Sequence, residues 1–298
     1  MALKFYTLDV FTNHKFAGNP LAVVLDADHL TTEQMQTITR EFNLSETTFV
    51  MKPDDPANTA KMRIFFPGGE MPFAGHPTLG AAILLADLRN LDEVKFELKA
   101  GLTPVKISRH ENDYSGTFTA PVVPFHVDVK LPSITDTARA LNLEPGDIGF
   151  DGHTLAMLQG GPSFFYVPVK TRAALEKSQV RQPYWADLLA SLGGSTDAAY
   201  VYTRGGDGSE TNFRARMYAP SGGTPEDPAT GSATALLAAQ LLTAENLEDG
   251  THIWNVEQGY EMGRPSDLRL EADVKHAKLT AVRVGGSAVR LMSGEIDL

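Results

Sequence analysis

Two short stretches of the 298-residue chain set reactive side chains in matching frames: EMPFAGHPTL (70–79) and EDPATGSATA (226–235). Each writes an acidic residue, a proline, a small residue and a glycine just ahead of an apolar run. His76 follows the glycine in the first and Ser232 follows it in the second. If the apolar runs are helices, their first turns carry unpaired N–H groups and the positive end of a helix dipole, a receptor for a carboxylate or phosphate. Gly75 and Gly231 let a ligand approach the backbone closely. A histidine and a serine on opposite walls of a cleft could then hydrogen-bond a substrate's polar groups and stabilise charge as it moves.

The two stretches belong to a longer repeat. MRIFFPGGEMPFAGHPTLGAAILLA (62–86) and ARMYAPSGGTPEDPATGSATALLAAQLL (215–242) share the order arginine, apolar pair, proline, glycine pair, acid, proline, small residue, glycine, helix. Arg63 and Arg216 lie 153 residues apart, Gly68 and Gly222 154, Gly75 and Gly231 156, so two small insertions account for the drift. An offset of about half the chain across ordered matches is the mark of an internal duplication. In the first copy Pro77 suits the first helical turn, and the run from Leu79 to Ala86 has almost no polar interruption. A helix apolar on every side must be enclosed, and ATALLAAQLL after Ser232 has the same character. Each half is therefore expected to wrap a curved sheet around one central helix, with the two helix starts facing each other.

Other elements place these motifs in a mixed α/β or α+β chain of two lobes, 1–124 and 125–298. KFYTLDVF (4–11) and PLAVVL (20–25) read as neighbouring strands across the turn-rich NHKFAGN. TTEQMQTITREF (31–42) reads as a helix with threonine caps that stops near Asn43. TTFVM, KMRIFF, VKFELKA, PVKISR and DYSGTFTA read as strands, and APVVPFHVDVKLP as a segment crossing between lobes. In the second half SITDTARALNL and YWADLLASLG have helical spacing. FFYVPV, AAYVYT, FRARMYA, DLRLEADV and LTAVRVGG read as strands, and the last may return toward the first lobe's sheet.

The bulk composition narrows the function. With 26 basic and 37 acidic residues the net charge is −11, which disfavours nucleic acid and anionic membranes. No signal-peptide core and no apolar run long enough to span a bilayer are visible, so a cytoplasmic protein is expected. There are no cysteines, which rules out disulfides and any thiol base or nucleophile. The eight histidines show no pair at ligand spacing, so a metal is not expected.

FTNHKFAGNPLAVV, EFNLSETTFV, PGGEMPFAGHPTLGAA, APSGGTPEDPATGSA and VEQGYEMGRPS, running from near residue 8 to 266, together resemble the PhzF-like family, named for the phenazine-biosynthesis isomerase. The resemblance implies the diaminopimelate epimerase fold: two pseudosymmetric lobes, each a sheet or barrel around a central helix, with the active site between them and a homodimer as the usual assembly. It also implies a cofactor-independent isomerase of a small carboxylate. The glutamate of NLSET, the histidine of AGHP, and the aspartate and serine of EDPATGS carry over onto Glu46, His76, Asp227 and Ser232, with Glu46 as the principal acid/base. Gly75 and Gly231 carry over as amides that meet the substrate carboxylate. One departure is Phe66, where the family leads one to expect threonine or serine.

The residues fit proton movement at carbon, because a carboxyl partly buried in an apolar cleft has its pKa raised toward neutrality and can take and return a proton. Plainer roles stand beside these. Glu46 has capping-box spacing from Asn43, His76 and Ser232 could cap helices, and Asp227 could cap the turn before Pro228. Arg63 and Arg216 read as lobe-packing or surface pairs rather than substrate ligands, and Glu70, Glu226 and Arg264 have no assigned role. Two other functions compete: a non-catalytic binder of a small metabolite, and a hydrolase using Ser232, His76 and Asp227, although ATGSA is no nucleophile elbow.

Overall fold

The computed structural model describes residues 2–298 except 111, 112 and 223. Its first half runs β1 (Ala2–Val10), β2 (Asn19–Val24), α1 (Thr32–Phe42), β3 (Glu46–Met51), β4 (Ala60–Phe66), β5 (Gly69–Met71), α2 (Gly75–Arg89), β6 (Glu93–Leu98), β7 (Gly101–His110) and β8 (Asp113–Thr119). The second runs β9 (Phe125–His126), α3 (Ile134–Ala140), β10 (Ala156–Gln159), β11 (Ser163–Pro168), α4 (Arg172–Lys177), α5 (Tyr184–Ser191), β12 (Ala199–Arg204), β13 (Phe213–Ala219), β14 (Thr224–Asp227), α6 (Gly231–Ala244), β15 (Gly250–Gln258), β16 (Ser266–Lys275) and β17 (Lys278–Asp297).

The strands close two rings with the same order. In the first, β1, β2, β3, β4, β6, β7 and β8 pair in turn, and the distal half of β17 closes the circle between β8 and β1. In the second, β10, β11, β12, β13, β15, β16 and the proximal half of β17 pair in turn, and β8 with β9 leads back to β10. Parallel pairs fall at the same steps, β2–β3 and β4–β6 in one ring, β11–β12 and β13–β15 in the other. Closure removes most sheet edges, although among the described residues no ladder joins β8 to β9, and β9 pairs with β10 at two residues.

Each ring encloses one helix. All residues of α2 from Gly75 to Ala86 are buried, and in α6 only Ser232 between Gly231 and Leu241 is not. Helices without a polar face have no other stable place in water. Each fully buried leucine among them contributes about 1.5–3 kcal/mol. A separate core packs α1 on the outside of the first ring through Met35 and Ile38 against Phe49 and Phe65. That helix starts at a Thr31–Gln34 capping box and ends at Asn43, whose φ of 51° is the left-handed conformation asparagine tolerates. Asn43 therefore closes a helix, and Glu46 opens a strand rather than completing a capping box.

Strands β10 and β15 have no counterpart in the sequence reading, and β17 extends well past LTAVRVGG. The distal part of β17 alternates poorly between buried and exposed positions, so period-two patterning fades there although its pairing with β1 continues to Asp297. Among the described residues no helix is long and apolar enough to cross a membrane.

Candidate active site

The two helix starts meet at the junction of the rings. A Cβ added to Gly75 would lie 3.3 Å from the Cα of Gly231, and one added to Gly231 would lie 3.6 Å from the Cα of Gly75. A Cβ on Gly75 would crowd the facing backbone, so glycine there lets the two helix starts approach this closely. Gly75 and Gly231 are the first residues of their helices, so His76 and Ser232 occupy the same second position. Neither helix has a side-chain cap, and Pro77 brings no N–H. Among the described residues the amides of Gly75, His76, Gly231 and Ser232 stay unclaimed at the positive ends of both dipoles.

These amides border a cavity of ≈ 410 Å³ between the rings. One wall is Ser45, Glu46, Phe66, Met71, Phe73 and the start of α2; the other is drawn from 162–164, 195–198, Met217, Ala219, Asp227 and the start of α6. Among the described residues no lysine or arginine lines it. An anion would be held there by backbone dipoles and hydroxyls alone.

Glu46, the first residue of β3, lies beside His76, with Oε2 3.2 Å from the imidazole Nε2. The contact is not aligned as a hydrogen bond, and both atoms are buried without another partner. Burial pushes the Glu46 carboxyl well above the usual carboxylate range, and the charge of Asp227 pushes it further. Burial also lowers the His76 imidazole to about 3, more than the nearby Pro20 carbonyl can offset, so the ring is neutral at ordinary pH. Asp227 ends β14. Desolvation raises it to about 6 even though Thr230 and Asn19 both donate to it.

All six residues singled out in the sequence line this cavity: Glu46, Gly75, His76, Asp227, Gly231 and Ser232. They do not form a hydrolytic triad. His76 faces Glu46, Asp227 accepts from Asn19 and Thr230, and among the described residues no hydrogen bond joins Ser232 to either. Arg63 and Arg216 are structural. Each makes a two-pronged pair with the acid of its own repeat, Arg63 with Glu70 at 2.8 and 2.9 Å and Arg216 with Glu226 at 2.8 and 2.9 Å. Arg264 ties the β1–β2 loop to the second ring, donating to Asp9 Oδ1 and to the carbonyls of Ala17 and Gly18. Phe66 does line the cavity.

Three residues next to the site escaped the sequence reading: Asn19, Thr230 and Gln258. For Asn19 a signal existed, since FAGNP (16–20) echoes FAGHP (73–77).

The ladder registers show how unequal the two walls are. Phe49 pairs with Arg63 as Val201 pairs with Arg216, which sets Glu46 against Ala198. Ile64 pairs with Met71 as Met217 pairs with Asp227. The parallel steps β2–β3 and β11–β12 set Asn19 against Pro162.

Comparison with known proteins agrees with this architecture. Residues 8–294 match the family described as phenazine biosynthesis-like protein, PhzC-PhzF. The chain belongs to the PhzC-PhzF family. This PhzF-family chain is 41% identical to an uncharacterized isomerase of Mesorhizobium japonicum, over 97% of itself and 96% of that protein. It is 32% identical to the trans-2,3-dihydro-3-hydroxyanthranilate isomerase of Pseudomonas aeruginosa, over 99% of both chains. A crystal structure of a PhzF-family protein from Bacillus anthracis superposes with a TM-score of 0.89 at 26% identity, covering all of both chains. These relationships make the PhzF-family chain an isomerase.

Proposed function

We propose that this isomerase moves a proton from one carbon to another in a small unsaturated carboxylic acid, with Glu46 as the proton carrier and no metal or cofactor. The observation that carries the reading is the inequality of the walls: Glu46 has an unpartnered, desolvated carboxyl oxygen, and the matching place across the cleft holds Ala198. With the chain free of cysteine, no thiol base takes part. A single carrier breaks a C–H bond, holds the proton while electrons move along the conjugated system, and forms a new C–H bond at another carbon. The carrier's raised pKa makes its carboxylate a stronger base toward a C–H proton.

The other groups fall into supporting places. The amides of Gly75, His76, Gly231 and Ser232 receive the substrate carboxylate, and the dipoles of α2 and α6 supply the positive potential that no side chain provides. The Pro20 carbonyl favours N–H on the far nitrogen of His76, which leaves Nε2 as an acceptor for the proton of Glu46. Phe66, Met71, Phe73, Phe164 and Met217 offer an apolar surface for a carbon skeleton. The Pseudomonas aeruginosa relative's substrate is a cyclic unsaturated amino acid, and we infer a substrate of that size and type here.

The test is turnover in D2O of trans-2,3-dihydro-3-hydroxyanthranilate and a panel of small unsaturated carboxylic acids. Deuterium should enter product at carbon, and Glu46→Gln should lower turnover by about 1,000-fold, the middle of the range for acid–base catalysis. Unchanged turnover and exchange in that variant would discard Glu46 as the carrier.

A further inference from the structure

We propose that Asn19, reaching from the first ring to Asp227 of the second, decides which of the cavity's two acids holds the proton, keeping Asp227 ionised and leaving Glu46 as the carrier. This rests on the proton-transfer reading above. Asn19 is fully buried and lies outside the cavity lining, so it acts as a positioning residue. Its Nδ2 donates to Asp227 Oδ1 at 2.8 Å and to the carbonyl of Ala229 at 2.9 Å. Both partners are acceptors, so the amide has one orientation: the nitrogen must face them, and Oδ1 is left without a partner.

The second oxygen of Asp227 is also claimed by a donor. Thr230 Oγ1 lies 2.5 Å from Oδ2 and at the same time accepts from Gln258 Nε2 at 2.9 Å, so its own hydrogen has to point at Asp227. Gln258 is held in turn, donating to the Asp227 carbonyl at 2.7 Å and accepting from the Thr230 N–H at 3.0 Å. A proton placed on either oxygen of Asp227 would remove the charge that strengthens the bonds from Asn19 and Thr230. Glu46 Oε2 has no such donor. Donors on an ion stabilise its charged form, so a proton that Glu46 takes from substrate stays on Glu46 rather than passing to Asp227.

The remaining ionisable neighbours do not reverse this order. Glu46 comes from β3, and His76 of α2 is neutral beside it. Glu226, next to Asp227 on β14, raises Asp227 by its charge, but as the last-named of the causes and with Arg216 of β13 paired to it. Asn19 is itself fixed. Gly18, at φ +63°, has the Val10 carbonyl oxygen 2.4 Å from where a Cβ would stand, so only glycine makes this turn. Its N–H donates to the Pro265 carbonyl at 2.9 Å, and Arg264 holds the carbonyls before Asn19.

The experiment is a 13C NMR titration of the full chain with carboxyl-labelled aspartate and glutamate, signals being assigned with Asp227→Asn and Glu46→Gln. Asn19→Leu and Thr230→Val each remove one donor; Asn19→Ser retains a hydroxyl donor. In the first two the Asp227 midpoint should rise by about one pH unit or more and that of Glu46 should fall, because one donor to a carboxylate is worth about that much. Asn19→Ser should restore part of the original order. Turnover should fall through kcat with little change in KM, its pH optimum moving with the midpoints. Unmoved midpoints in folded Thr230→Val would overturn the proposal, as would midpoints that move while the pH profile of kcat stays put. The titration needs no substrate, so a failure of Glu46 as carrier would show separately, as retained turnover in Glu46→Gln.

Discussion

The two rings share what builds the site and differ in what performs chemistry there. Both place an arginine on the strand before the glycine turn and bind it to the acid after that turn. Both use a glutamate at matching places in β6 and β15 to gather backbone amides of the loop ahead: Glu97 accepts from the N–H groups of Asp54 and Asp55, and Glu257 from those of Asp207 and Gly208. Both start an apolar helix with an uncapped glycine. Glu46 against Ala198, Met71 against Asp227, His76 against Ser232 and Asn19 against Pro162 are where they part. On the function proposed above, the duplicated scaffold supplies a symmetric anion receptor and the point differences give it direction. Symmetric bases would favour removal and delivery of a proton from opposite faces of one carbon, whereas a carboxyl on one wall favours transfer between carbons on one face.

The arginine clamps are the widest test of how far the rings are alike energetically. Arg216 is the more buried, and besides Glu226 its Nη1 donates to the carbonyls of Leu175, Glu176 and Ser178 at 3.2, 3.0 and 2.9 Å, which end α4. Arg63 is a quarter exposed, and besides Glu70 its hydrogen bonds among the described residues go to Thr32 Oγ1 and the sulfur of Met35, with its guanidinium over the Phe65 ring. Arg216→Met strands a mostly buried carboxylate and three carbonyls and should cost about 3–5 kcal/mol. Arg63→Met should cost about 1 kcal/mol, as expected for a solvent-screened pair. Urea unfolding measures both, and equal losses would mean that the clamps are interchangeable.

A pH series separates Asp227 from Met71, its match in the first ring. Asp227 rises from 3.8 to about 6 on folding, so the native state binds its proton more tightly than the unfolded chain does. The associated stability is full below the unfolded value and is lost as pH rises through about 6, a difference of up to about 3 kcal/mol. Asp227→Asn should therefore gain stability relative to the parent as pH increases from 4 to 7, offset in part by a weakened bond to Thr230. Met71→Leu should shift stability by the same small amount at every pH. Unfolding free energies of the three proteins across that range decide the matter, and parallel curves would show that Asp227 is not desolvated.

Which features were legible in the amino-acid order follows from the range of the interactions behind them. The helix starts could be read because glycine, proline and an apolar run are local requirements written twice. Helix α1 could be read because its caps lie within its own ends. Of ring closure only the return of the last strand to the first lobe could be read, since β17 finds β8 and β1 across more than half the chain and its distal residues are half exposed. Asn19 shows the same limit. Its motif repeats that of His76, but its partner lies 208 residues away, and no local pattern names it. The wall segment 195–198 carries no motif and reaches the cavity only because β12 lies beside β11. Phe66 is a middle case: the turn places it at the cavity, with Gly68 leaving room for its ring, and only its polarity departs from the family's pattern.

The smallest expected difference is between the two glycines where the rings meet. A methyl on Gly75 would stand 3.1 Å from Phe118 Cζ and 3.3 and 3.4 Å from the Cα and carbonyl carbon of Gly231. On Gly231 it would stand 3.1 and 3.4 Å from the Phe11 ring and 3.6 Å from the Gly75 Cα. A ring can tilt by a few tenths of an ångström, but the first turn of an enclosed helix cannot move without its barrel. Alanine also gains about 1 kcal/mol over glycine in a helix. That gain should nearly cancel the crowding at Gly231 and fall short at Gly75, where overpacking against backbone costs about 2–3 kcal/mol. Gly75→Ala is thus expected to lose about 1–2 kcal/mol in urea unfolding, and Gly231→Ala to stay within about 0.5 kcal/mol of the parent. The reverse order would mean that the contact is limited by the Phe11 ring rather than by backbone, and that the second ring carries the tighter side of the joint.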